Sequence, residues 1–266
     1  MADRPGPWRR FLALPNGDPR KAVGVTLLVA LVSALVVSSA SVLLKPLQQA
    51  HIERDRQARL EAMIDTLPAM RELMVEAGID TLETRIVDLA SGRFDLAIDP
   101  ATFDPAAAAA APATSVALPP EADLAGLKRI ATHAPVYLLQ RDGALHLIVL
   151  PISGLGYQST IRGSLALEPD LTTVAALTIT EQGETPGLGA RIEEPAWQAL
   201  WAGKEIADPD GRIVIRVAQG PAAGPYEVDG ISGATRTGNG VTNMLAFWLG
   251  PQGFGPFLDR LKREGI

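Results

Sequence analysis

"VYLLQRDGALHLIVLPI", residues 136–152, carries the clearest folding signal in the chain. Two apolar runs flank Arg141-Asp142-Gly143, and Asp-Gly supplies the positive φ that a tight hairpin turn requires. The stretch predicts two antiparallel strands. Working outward, residues 161–167 and 174–180 read as further strands and residues 212–217 as one more. Between the last two, "EPAWQALWAG" predicts a short helix, with Pro195 near its start and Gly203 past its end. Upstream, "TRIVDLASGRFDLAI", residues 84–98, alternates around Ser91-Gly92 and reads as another hairpin. Residues 99–120, with an alanine run between Pro105 and Pro112, read as a mobile loop. Elements of both kinds alternate irregularly, often through hairpins, and no internal repeat is evident. The expected class is α+β, with a largely antiparallel sheet and flanking helices.

Composition narrows what such a fold can do. The balance of 24 Lys+Arg against 30 Asp+Glu gives a net charge of -6, without the basic excess of a phosphate-backbone binder. Nucleic acid is therefore not an expected partner. The chain has no cysteine, which excludes disulfides, thiolate nucleophiles and iron–sulfur clusters. His51, His133 and His146 lie far apart, without the i, i+4 spacing of a helix-borne metal site, so no metal is expected.

Ahead of the sheet region lies "AVGVTLLVALVSALVVSSASVLL", residues 22–44, free of charge and proline. At 1.5 Å per residue such a helix spans roughly 34 Å, a bilayer core. Ser38 and Ala40 resemble a signal-peptide cleavage site, yet the apolar run exceeds the ~7 to 15 residues of a signal core, which favours a retained transmembrane helix. The expected organisation is a cytoplasmic tail over residues 1–21, the membrane helix over 22–44, and a large body beyond the bilayer. Residues 47–77 show helical spacing, broken at Pro68, and predict a stalk within an accessory segment spanning residues 45–135. Residues 136–266 then form the second folded segment.

Near the end of the chain, "DGISGATRTGNG", residues 229–240, concentrates glycine and hydroxyl residues before an apolar helix expected to begin near Asn239. One reading is an anion nest of backbone amides beside a helix N-terminus; another is a turn that caps the helix through threonine or asparagine. A Walker loop is excluded because Gly-Lys-[Ser/Thr] is absent. A Ser232 nucleophile lacks both the Gly-x-Ser-x-Gly elbow and any following histidine.

"SGATRT", Ser232 to Thr237, also fits the pattern Asp-x-x-Ser-Gly-Ala-Thr-x-[Ser/Thr] of bacterial flavoproteins that bind FMN covalently. Together with "LLKPLQ", "EQGETPGLG", "PAWQALWAGK" and "FWLGPQGFGPFL", it makes the chain resemble the family of covalent FMN-binding C subunits of sodium-translocating NADH:quinone oxidoreductases. The resemblance implies that Thr237 carries FMN through a phosphoester. Amides of Gly233, Ala234 and Thr235 would then partly neutralise the phosphate, with Arg236 adding charge if its side chain turns inward. It further implies a loop that leaves Thr237 exposed to a flavin transferase. In "ETPGLG", Pro186 and Gly187 favour a tight turn, with Glu184 and Thr185 expected at the polar edge of the flavin and Leu188 against its face. Glu184 reads otherwise as a surface carboxylate.

On this resemblance residues 136–266 are the FMN-binding domain. The implied function is one-electron relay inside a complex of membrane and soluble subunits in the bacterial inner membrane, the soluble domain lying in the periplasm. No acid–base pair or other catalytic group is expected. Two rivals remain at this point: the flavin subunit of the related ferredoxin:NAD oxidoreductase complex, and a non-redox, membrane-tethered scaffold.

Overall fold

The structure is a computed structural model, which describes residues 15, 18, 19, 21, 23–34, 83–100, 102–141 and 144–265. The chain divides into two compact units, Met1–Glu61 and Ala62–Ile266. In the first, residues 23–34 are helical with Leu27, Leu28 and Leu31 exposed. Among the described residues no helix is long and apolar enough to cross a membrane. Residues 22 and 35–44 of the expected span, and the whole of the expected stalk over residues 47–77, lie outside the described residues.

The second unit is built on a six-stranded sheet. Its strands are β1 (Glu83–Asp88), β2 (Arg93–Phe94), β5 (His133–Arg141), β6 (Ala144–Leu155), β7 (Thr160–Leu167) and β8 (Val174–Glu181), in the spatial order β2-β1-β5-β6-β7-β8. Every neighbouring pair is antiparallel. β5 pairs with β6 as expected, Arg141 opposite Ala144, while Asp142 and Gly143 of the expected turn lie outside the described residues. β1, from the segment read as accessory, pairs along its length with β5, and the boundary drawn at 135/136 falls inside β5. The two segments share one sheet.

β6 is tolerant of Pro151 for a geometric reason. Its pairing with β5 ends at Val149, so the missing amide of Pro151 costs no bond on that side while β7 continues to pair to Leu155. One face of the sheet presents Val136, Leu138, Ile148, Leu150, Ile152, Leu165 and Leu177 to the main core. Leu139, Leu147, Val149 and Ala166, offset by one residue, form a separate cluster, as the period of two demands.

Two sequence expectations are corrected. Residues 102–120, within the stretch read as a mobile loop, are ordered: α1 (Pro105–Ala110) is followed by β3 (Ser115–Ala117), which pairs with β4 (Arg129–Ala131). Asp104 caps α1, accepting from the amides of Ala106 at 2.8 Å and Ala107 at 3.1 Å, with Pro105 at the first position. Of residues 212–217 only Arg216–Val217 form a strand, β9, which pairs in parallel with β10 (Glu227–Val228). The expected helix after Glu194 is present as α2 (Pro195–Gln198), continued by a 3-10 turn to Trp201, and Gly203 follows at φ +75°.

α3 (Thr235–Leu249) and α4 (Gly255–Glu264) close the chain. α3 lies against β6 so closely that a Cβ added at Gly154 would meet Met244 Cβ at 2.8 Å, and one at Gly240 would meet the Leu155 carbonyl at 2.7 Å. Trp248 secures the far end, donating from Nε1 to the Ser153 carbonyl at 2.7 Å and stacking on Phe254.

Candidate functional site

The glycine- and threonine-rich stretch sits where α3 meets the open end of β6. The helix begins at Thr235, four residues before the expected Asn239, so Thr235, Arg236 and Thr237 occupy its first turn instead of a loop. Its buried residues Thr237, Gly240, Val241, Met244, Leu245 and Trp248 recur at i, i+3, i+4, i+7, i+8 and i+11. That stripe is readable in the sequence. Extending it one turn back from Val241 places Thr237 on the inward face.

Thr237 is therefore not the exposed hydroxyl expected: it is 2% exposed. Its Oγ1 donates to Oε2 of Glu184 at 2.6 Å. Glu184, expected on the surface or at the flavin edge, is also buried. Its Oε2 accepts from the amide of Tyr157 at 3.1 Å, and its Oε1 accepts from the amides of Gln158 at 3.0 Å and Ser159 at 3.1 Å and from the Ser159 hydroxyl at 3.2 Å. Burial raises the pKa of this carboxyl. The bonds from the Thr237 hydroxyl and the three amides more than offset burial and hold it below the ordinary glutamate range.

Two glycines make the pair sterically feasible. A Cβ on Gly189 would lie 2.5 Å from Thr237 Oγ1, and one on Gly156 would lie 2.6 Å from Glu184 Oε1. Gly189 closes the ETPGLG stretch already expected at the site, whereas Gly156, Tyr157, Gln158 and Ser159 were not expected there. Nothing in the local sequence marks them, because their roles arise from contact across the fold.

The remaining predicted residues gather at the same place. Gly233 adopts φ +76°, and its missing side chain leaves room for Leu188 Cδ2. The amide of Ala234 is taken by the Ile231 carbonyl at 3.0 Å, so it is not available to the expected nest. Ser232, Thr235 and Arg236 are exposed, and the Arg236 guanidinium lies 5.1 Å from the centre of the Tyr157 ring instead of turning inward. Thr185 accepts from Gln158 Nε2 at 3.0 Å, and its carbonyl accepts from the amides of Leu188 and Ala190, closing the turn that holds Pro186 and Gly187. Leu188 is 43% and Tyr157 51% exposed, so two apolar surfaces flank the helix start.

The helix end itself is chemically open. Ala234, at the N-cap, has no side-chain acceptor to offer, and the first amides of a helix have no partner within it. The positive dipole end of the helix therefore sits beside the buried hydroxyl, with the Glu184 carboxylate as the one anion next to it.

Known proteins match the chain across this region and well beyond it. Residues 156–250 match the family model described as FMN-binding domain. The chain is 42% identical over 246 residues to the C subunit of the Na(+)-translocating NADH-quinone reductase of Pseudomonas aeruginosa, covering 90% of this chain and 94% of that protein. It is 43% identical over 255 residues to the protein of the same name from Yersinia pestis, covering 94% and 95% of the two chains. Among solved structures, Shewanella oneidensis NqrC superposes with a TM-score of 0.66 at 34% identity, covering 73% of this chain and 88% of that one. With identity sustained over nearly the whole length of both partners, the chain belongs to the family of C subunits of the Na(+)-translocating NADH-quinone reductase.

Proposed function

We propose that the chain is the flavin-carrying electron relay of a membrane-bound, sodium-translocating NADH:quinone oxidoreductase, with FMN esterified through its phosphate to Thr237. The observation that carries this reading is the position of the Thr237 hydroxyl, in the first turn of an uncapped helix within the region that matches the FMN-binding family. The residues present fit the group. A phosphodiester keeps one negative charge, which the free amides and dipole of the α3 N-terminus favour. Leu188 and Tyr157 offer apolar surface to a flat ring, and Arg236 adds a cation at its rim.

Bound FMN supplies one-electron chemistry, and the residues of this chain bind, orient and tether it. The tether suits a site outside the cytoplasm, where no flavin pool replaces a lost cofactor. The apolar segment over residues 22–44 anchors the chain in the bacterial inner membrane, with residues 1–21 cytoplasmic and the sheet-bearing body periplasmic. Its partners are the lipid bilayer, the other subunits of the complex and, during maturation, a flavin transferase. The exposed leucines of the helical residues 23–34 support the anchor.

The test is intact mass and peptide mapping of the full chain co-expressed with its transferase. One FMN residue is expected on the peptide holding Thr237, and Thr237→Ala abolishes both the mass gain and the in-gel fluorescence that survives denaturation. A colourless wild-type chain of bare polypeptide mass, or a mass gain mapped to Thr235, overturns the reading.

A further inference from the structure

A threonine hydroxyl is a poor nucleophile at neutral pH, because its proton must leave as the new bond forms. In this structure that proton already has a destination. Thr237 Oγ1 and Glu184 Oε2 are 2.6 Å apart, both residues are buried, and among the described residues no cation pairs with Glu184. The four other donors to this carboxylate come from residues 157–159, in the turn between β6 and β7. None comes from the turn over residues 185–188. The hydroxyl also faces Gly189, where no side chain stands over it.

We infer that Glu184 is the proton acceptor for modification of Thr237, a role resting on the reading of Thr237 as the flavin acceptor. The incoming reagent is a flavin dinucleotide, a phosphoanhydride. The bond from Thr237 Oγ1 to phosphorus forms as the anhydride P–O bond breaks. The nucleoside monophosphate leaves with the electron pair of that bond, and the Oγ1 proton passes to Glu184 Oε2. No group is oxidised or reduced.

Charge favours the same assignment. An ionised Glu184 beside a new phosphodiester would place two anions together in a buried site, a costly arrangement. Proton transfer avoids it: the negative charge moves from carboxylate to phosphodiester, and the site holds one anion before and one after. Glu184, a hydrogen-bond acceptor in the unmodified chain, becomes a donor in the modified one.

Two measurements on the full-length chain test the inference. In the first, purified unmodified chain is mixed with transferase, flavin adenine dinucleotide and a divalent metal, and mass gain is followed with time. Glu184→Gln is expected to slow modification by at least ~100-fold, the usual worth of a positioned proton acceptor. In the second, infrared difference spectra compare modified and unmodified wild-type chain at neutral pH. One additional protonated carboxyl is expected after modification.

Modification of Glu184→Gln at the wild-type rate overturns the inference while leaving Thr237 as the acceptor. So does a modified wild-type chain with no new protonated carboxyl, a result that holds even if the variant fails to fold. Wild-type mass gain at a residue other than Thr237 removes instead the functional reading on which the inference rests.

Discussion

The two ends of α3 are built on opposite principles. At its C-terminal end Phe247, Trp248 and Leu249 are buried together, and Trp248 packs edge-on to Phe247 and stacks on Phe254 with ring centres 5.2 Å apart. At its N-terminal end large side chains are absent from the buried stripe, where Thr237 and Gly240 take their place. The first end supplies apolar burial. The second gives it up, and gains a backbone close enough to β6 to set a hydroxyl against a carboxylate anchored in the β6–β7 turn. One rigid helix lets the anchored end fix the geometry of the reactive one.

That contrast can be broken most severely at Trp248. Replacing it with alanine is expected to cost about 3–5 kcal/mol, since it removes a stacked, buried indole and its bond to Ser153. Urea unfolding would measure the loss, and flavin loading per folded molecule should stay at the wild-type level. Loading that collapses in still-folded protein would show that the two ends are not separable.

Gly240 probes the junction between them. Valine there would drive a Cβ to 2.7 Å from the Leu155 carbonyl and 2.9 Å from Gly156 Cα, both backbone atoms. The expected cost is about 1–3 kcal/mol, with the first turn of α3 pushed away from Glu184 and loading reduced. Mass spectrometry of the variant beside wild type separates the two effects.

The smallest effect is on acid stability. Glu184 titrates below the ordinary glutamate range when folded, so its contribution is complete above that range and is lost as pH falls through it towards the folded value. Thr237→Ala removes one of the five donors and should shrink this pH-dependent part, as read from urea midpoints across acidic pH. It also leaves a buried carboxylate short of a partner, at about 1–3 kcal/mol. An unchanged pH profile would mean that the hydroxyl does not stabilise the carboxylate.

Much of the sheet was legible because hairpins announce themselves locally. Asp142-Gly143 between two apolar runs, and Ser91-Gly92 between two alternating ones, led to the β5–β6 and β1–β2 pairs without any knowledge of the fold. Asp104-Pro105 before six alanines carried an equally local helix-start signal; read by composition as a loop, it folds as a capped helix. For Thr237 the inward periodicity was present, but the density of glycine suggested a loop and masked it. The burial of Glu184 was beyond reach for a different reason. Its burial depends on three amides from another turn, and no pattern within "ETPGLG" encodes their approach.

The hydroxyl and its carboxylate stand 53 residues apart in the chain. Neither neighbour can find the other until the sheet has closed and the last long helix has docked on it. On the assignment made above, a half-assembled polypeptide thus offers its modifying enzyme only an inert alcohol, and the pigment is granted to molecules that have finished folding. The colour of a preparation would then count correctly built copies, and maturation would double as inspection.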